Sequence, residues 1–146
     1  MIFQVLSAVL SVYFFTMLLE IPKRCAFYCS LVGGVNWWVY LLSMSVKDSS
    51  MTAAFFASLA VAFLSQVFAR LQKTPVNVFL VAGILPTVPG AAVYRSVYYF
   101  IHNNSSMCTY YLLQTLQIAG AIAMAIFIID SLFRVYQYYQ NRKASI

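Results

Sequence analysis

Apolar residues run along this chain in five long blocks, each closed by a short cluster of charged residues, proline or small polar residues. The first block, residues 2–19, is about long enough to cross a hydrocarbon core as a helix. It stops at Glu20-Ile21-Pro22-Lys23-Arg24, where proline blocks continuation. Residues 26–46 form the second block, which holds Gly33-Gly34, Asn36 and the pair Trp37-Trp38 and stops at Lys47-Asp48-Ser49-Ser50. The third, residues 51–69, is rich in alanine, serine and phenylalanine and ends at Arg70-Leu71-Gln72-Lys73. Its small residues Ala53, Ala54, Ala57, Ser58, Ala60 and Ala62 leave room for a neighbouring helix to come close. Residues 76–101 and 110–133 are the fourth and fifth blocks, separated by a turn of polar composition, His102-Asn103-Asn104-Ser105-Ser106. A tail follows from residue 134 to residue 146. The pattern predicts an all-α integral membrane protein, one transmembrane domain with about five transmembrane helices.

The fourth block differs from the others because Pro86, Pro89 and Gly90 fall near its middle. Proline removes a backbone donor and clashes with the preceding turn, and glycine adds backbone freedom, so the helix is expected to break between Pro86 and Gly90. A fully helical stretch over residues 76–101 would measure about 39 Å, more than a hydrocarbon core of roughly 30 Å needs. In lipid, freed backbone groups must be met by protein or by a water-lined cavity. A span broken at mid-membrane depth therefore points to a binding site, whereas the plainer reading is a proline kink in a packed helix. Asn77, close to the start of this block, reads as a cap for its helix.

Composition strengthens the membrane assignment. Charged residues make up 8% of the chain against 63% hydrophobic, whereas a soluble domain carries about 25% charged. The net charge of +6 does not point to nucleic acid, because the basic residues sit at the ends of apolar blocks rather than in one patch. With five crossings, Lys23, Arg24, Arg70, Lys73, Arg134, Arg142 and Lys143 share one side, and Lys47, offset by Asp48, lies on the other with His102. Lysine and arginine bias then predicts an N-terminus outside and a cytoplasmic C-terminus. A re-entrant hairpin over residues 76–101 would carry the tail's basic residues outward, so a complete crossing is expected. The apolar start without a basic leader or small-residue cleavage site reads as an uncleaved first span. An odd number of spans suits inverted pairing with a related module, and no internal repeat is visible, so such a partner would be a separate polypeptide.

Candidate chemistry is sparse. The only acids are Glu20, Asp48 and Asp130, and there is one histidine, so no catalytic set is expected and the chain reads as a non-enzyme. Cys25, Cys29 and Cys108 have no ligand spacing and read as small apolar side chains, with no metal or cofactor implied. Arg95 is either a carboxylate-binding or gating charge or a side chain reaching the outer interface. Asp130 is either an interfacial i,i+4 partner of Arg134 or a proton-carrying carboxylate. Asn36, Gln66, Gln114 and Gln117 are either interhelical hydrogen-bonders or lining of a polar path. Half-helix ends at the break would offer N–H groups with positive dipole character, suited to a carboxylate. The predicted substrate pathway is thus Gly83, Pro86, Thr87, Pro89, Gly90, Tyr94 and Arg95.

Residues 75–94, with Pro86-Thr87-Val88-Pro89-Gly90 and Tyr94 inside them, resemble the signature of the small membrane subunit of the threonine/serine exporter (ThrE) family, and the whole chain is similar to that module in length and span number. The resemblance implies a subunit of a secondary-active exporter in a bacterial inner membrane, paired with a larger homologous membrane subunit. It implies proton-driven export of a small carboxylate-bearing solute: threonine, serine or a dicarboxylate such as succinate. A homo-oligomer is a further expectation for the assembly. The alternatives are a non-transporting structural or regulatory subunit and a small uncoupled pore.

Overall fold

The computed structural model describes residues 1–46 and 49–144; Lys47, Asp48, Ser145 and Ile146, and the side chains of Tyr139, Gln140, Asn141, Lys143 and Ala144, lie outside the described residues. The described chain is helical throughout: α1 (Ile2–Leu18), α2 (Lys23–Val46), α3 (Ser50–Gln72), α4 (Val76–Ile84), a 3₁₀ turn (Leu85–Thr87), α5 (Gly90–Ile101) and α6 (Ser105–Ala144). The sequence-based assignment to an all-α membrane protein holds. α2, α3 and the Ser105–Tyr138 part of α6 are each long and apolar enough to cross a membrane, and α4 and α5 together make a fourth, bent candidate. α1 has 17 residues, about 26 Å of helix, a little short of a roughly 30 Å core.

α3 is the hub, and its composition explains why. Ala53, Ala54, Ala57, Ser58, Val61, Ala62, Ser65 and Ala69 recur at helical spacing and are buried, with Ala60 half-buried. Small side chains on that stripe let α2, α4 and α6 all pack against one rod. α1 lies antiparallel on α2 where Gly33 and Gly34 remove side chains. A Cβ on Gly33 would sit 2.5 Å from Val12 Cγ2, and one on Gly34 would overlap Val9.

Two registers fix the depth of everything else. α2 and α4 run parallel: Cys25 Sγ lies 3.8 Å from Thr74 Oγ1, Cys29 Sγ donates to the Val78 carbonyl (3.5 Å), and Asn36 Nδ2 donates to the Gly83 carbonyl (2.8 Å). α3 and α6 also run parallel, with Gln66 bonded to Asp130 and Phe63 and Arg70 both against the Phe133 ring. α4 and α6 each lean on α3 with their backbones held apart, while the backbone of α5 comes close to α6 alone among the described helices.

α6 starts at Ser105 rather than residue 110, and it does not end at Phe133. Its 40 residues measure about 60 Å, more than the roughly 40–45 Å of a whole bilayer. The expected tail from Arg134 is therefore a continuation of the helix through Ala144. At the other end, Phe55 and Phe56 face Gly120 and Ala121 across a shared groove, so residues 105–115 extend beyond the start of α3.

Candidate functional site

The interruption comes where the prolines place it, but the two prolines act differently. Leu85, which precedes Pro86, keeps right-handed helical angles (φ −47°, ψ −44°), and the chain merely tightens into the 3₁₀ turn. Val88, which precedes Pro89, is extended (φ −61°, ψ 129°), as steric conflict with a following proline ring requires. Pro89 then heads α5, and the axis bends by 56°. That angle leaves α4 and α5 advancing in the same sense, a broken span rather than a hairpin. Val32 and Val61 pack around Gly83 at the middle of α2 and α3, so the break falls near half depth of the bundle.

Asn36 is the residue that holds the break. In an α-helix the Gly83 carbonyl would accept from the Thr87 N–H; a 3₁₀ turn redirects that N–H to residue i−3, and Pro86 has none to offer. Asn36, fully buried on α2, supplies the missing donor and also reaches Thr87 Oγ1 at 3.2 Å. Thr87 Oγ1 in turn donates to the Ile84 carbonyl (2.9 Å), so its oxygen is both donor and acceptor. The two acceptors fix the amide orientation, since a flip would turn Oδ1 toward the Gly83 carbonyl. Oδ1 itself is buried and has no partner among the described residues.

Beside the break is a hollow of about 470 Å³ between α1, α2 and the 3₁₀ turn, lined by Gln4, Ser7, Ser11, Trp37 and Pro86 among others. Gln4, Ser7 and Ser11 were not singled out from the sequence. Their spacing of three and four places them on one face of α1, which is the signal that marks them. At the start of α5, Gly90 is exposed, and a Cβ there would meet nothing within 4 Å. The Val93 N–H bonds to the Pro89 carbonyl, and no side chain caps the N-terminus of α5.

The other pathway residues lie apart from the break. Tyr94 is exposed and stacks on Tyr98, with ring centroids 6.4 Å apart. Arg95 is exposed; its Nη1 donates to the Tyr111 hydroxyl (3.4 Å) and its guanidinium lies 5.5 Å from that ring's centroid. Tyr99 stacks on the same ring, so Arg95 belongs to an aromatic layer with Tyr98, Tyr99, His102 and Tyr111 where the C-terminal end of α5 meets the N-terminal end of α6. Gln117 opens on an apolar groove of about 830 Å³ between α2, α3 and α6, and Gln114 is half-buried on α6.

A second polar cluster stands at the opposite end of the bundle. Gln66 Nε2 donates to Asp130 Oδ1 (3.2 Å), and Arg134 Nε donates to Asp130 Oδ2 (2.8 Å). These groups line a cleft of about 200 Å³ between α4 and α6, floored by α3. Asn77 lines it too. It is not the cap that its position predicts: Pro75 holds the N-cap site, and no side-chain bond closes that helix end.

A helical membrane bundle with one helical stretch interrupted near mid-bundle and clasped by a buried amide has a form that membrane transporters use. The chain belongs to the threonine/serine exporter ThrE family, whose model matches residues 4–132. It is thus a transporter subunit of that exporter type. No solved structure matches it.

Proposed function

We propose that this chain forms one wall of a secondary-active exporter of small carboxylate-bearing solutes, threonine- or serine-like amino acids or a dicarboxylate, with a larger homologous membrane subunit as the other wall. The interruption at Val88-Pro89 carries the reading. It sets the uncapped first turn of α5 at half depth, where backbone N–H groups and the helix dipole favour an anion. The hollow beside Pro86 and Trp37, with Gln4, Ser7 and Ser11 on an otherwise apolar lining, lies next to the interruption. In this reading all five helical spans cross a bacterial inner membrane with the N-terminus outside and the C-terminus cytoplasmic. Asp130 carries the coupling proton. The exposed apolar faces of α5 and α6 meet lipid and the partner subunit.

Gly90 offers a clean test. A Cβ at that position meets nothing within 4 Å, so Gly90→Leu is expected to project into the passage with little disturbance of the fold. Expected is at least a tenfold loss of threonine or serine efflux from dipeptide-loaded cells, with unchanged membrane abundance. Pro89→Ala lets Val88 return to helical angles and is expected to give a comparable loss. Normal efflux from both variants removes the interruption from the mechanism.

A further inference from the structure

The cleft between α4 and α6 is the one polar concavity whose walls carry both signs of charge. The backbones of α4 and α6 stand apart, and side chains of both helices wall the gap between them over α3 at its floor. Gln66 on α3 is 8% exposed, so its amide is committed to this small space rather than to solvent. Asp130 spends one lone pair on Gln66 and one on Arg134. Once its coupling proton has left, the carboxylate has about four acceptor positions, so two remain for an incoming donor. Arg134 contacts Asp130 through Nε alone, and its two terminal nitrogens have no partner among the described residues. Asn77 stands exposed on the cleft wall, and Ala62 and Leu80 provide an apolar wall.

We propose that this cleft is a loading site that binds a small zwitterion, its ammonium on Asp130 and its carboxylate on the terminal nitrogens of Arg134, before the solute reaches the interrupted helix. The inference rests on the exporter reading for its place in a pathway, and it narrows that reading from carboxylate-bearing solutes in general to those that also carry a cationic amine. A dicarboxylate would bring its second anion against Asp130, a repulsion that water softens but does not remove, since the Arg134 and Asp130 side chains are 79% and 42% exposed. A compact amine next to a carboxylate meets a carboxylate and a guanidinium held four residues apart on one helix. The volume selects for size as well. At about 200 Å³ the cleft lies below the roughly 300–1,000 Å³ of sites for drug-sized ligands.

The test is equilibrium binding of L-serine and of succinate to the purified full-length chain in nanodiscs, which needs no transport. Expected is saturable L-serine binding, at least tenfold weaker succinate binding, and at least a tenfold loss of serine affinity in Asp130→Asn and in Arg134→Gln. Asn77→Trp, at an exposed position, blocks the cleft without touching the charged pair and is expected to abolish binding even if one of the charge variants fails to fold. If Pro89→Ala exports normally but Asp130→Asn loses binding, the interrupted-helix reading falls and the loading site stands. Absence of serine binding by the parent chain, equal binding of succinate, or unchanged affinity in the folded cleft variants overturns the proposal.

Discussion

Asn36 shows how much one side chain decides in lipid. Pro86 and the 3₁₀ turn withdraw the donors that Gly83 would use, and hydrocarbon offers no replacement. A buried amide from α2 satisfies the carbonyl and ties the broken helix to its neighbour. Asn36→Ala leaves the Gly83 carbonyl without that donor, and the usual penalty for such a group is about 1–3 kcal/mol. The expected result is a matching fall in unfolding free energy in detergent, read by urea or SDS titration, together with reduced efflux. Gly83→Ala should be worse than Gly90→Ala, because a Cβ on Gly83 overlaps Val32 and comes within 3.1 Å of Val61 Cγ1, whereas Gly90 has open space. The sequence marked Asn36 as polar within an apolar span but gave two roles for it. Which carbonyl lay 47 residues away could not be read from spacing.

Among the elements, helix ends are more legible than helix partners. Proline and short polar clusters set the ends of α1, α3 and α5 within a few residues of where composition placed them. Three of the turns are closed by non-glycine residues in the left-handed region: Glu20 (φ 55°), Lys73 (φ 49°) and Asn103 (φ 56°). Asparagine tolerates that conformation, but other side chains pay about 1–2 kcal/mol for it. Glu20→Gly is therefore expected to raise the unfolding free energy by about 1 kcal/mol, and Asn103→Gly to change it little. The same titration checks both. α6 was the element least well bounded from sequence. Tyr136, Tyr138 and Arg142 look like an interfacial tail, yet nothing among them stops a helix, and α6 continues to Ala144. The fourth span was read as one broken unit because two prolines and a glycine stand within five residues. Only the structure separates their roles, with Val88 extended and Leu85 still helical.

Across the whole molecule, asymmetry is the main feature. α2, α4 and α6 pack on the small-residue stripe of α3 and α1 lies on α2, while α5 leaves the bundle at the 56° bend and packs on α6. The exposed apolar residues of α5, including Val93, Val97, Phe100 and Ile101, face out of this chain. Orientation can be tested with the native cysteines, since Cys25 and Cys29 are buried and Cys108 is half-buried near the start of α6. A membrane-impermeant maleimide is expected to label Cys108 in intact cells, with little added by permeabilisation. Labelling only after permeabilisation would invert the proposed topology and place the α4–α6 cleft outside.

By itself the sequence determined the solvent of this protein, the positions of its helical blocks and the place where one of them breaks. Those follow from local chemistry: apolar runs of bilayer length, proline without an N–H, and charges confined to turns. Tertiary structure decided which helices are neighbours, that α5 packs on α6, and that Gln66 meets Asp130 across 64 residues of chain. Those are decided by packing of small residues against one another and by the need of each buried polar group for a partner, which depend on shape in three dimensions. In an apolar chain almost every helix face looks alike in sequence, and hydrophobicity that points everywhere cannot say which face meets which.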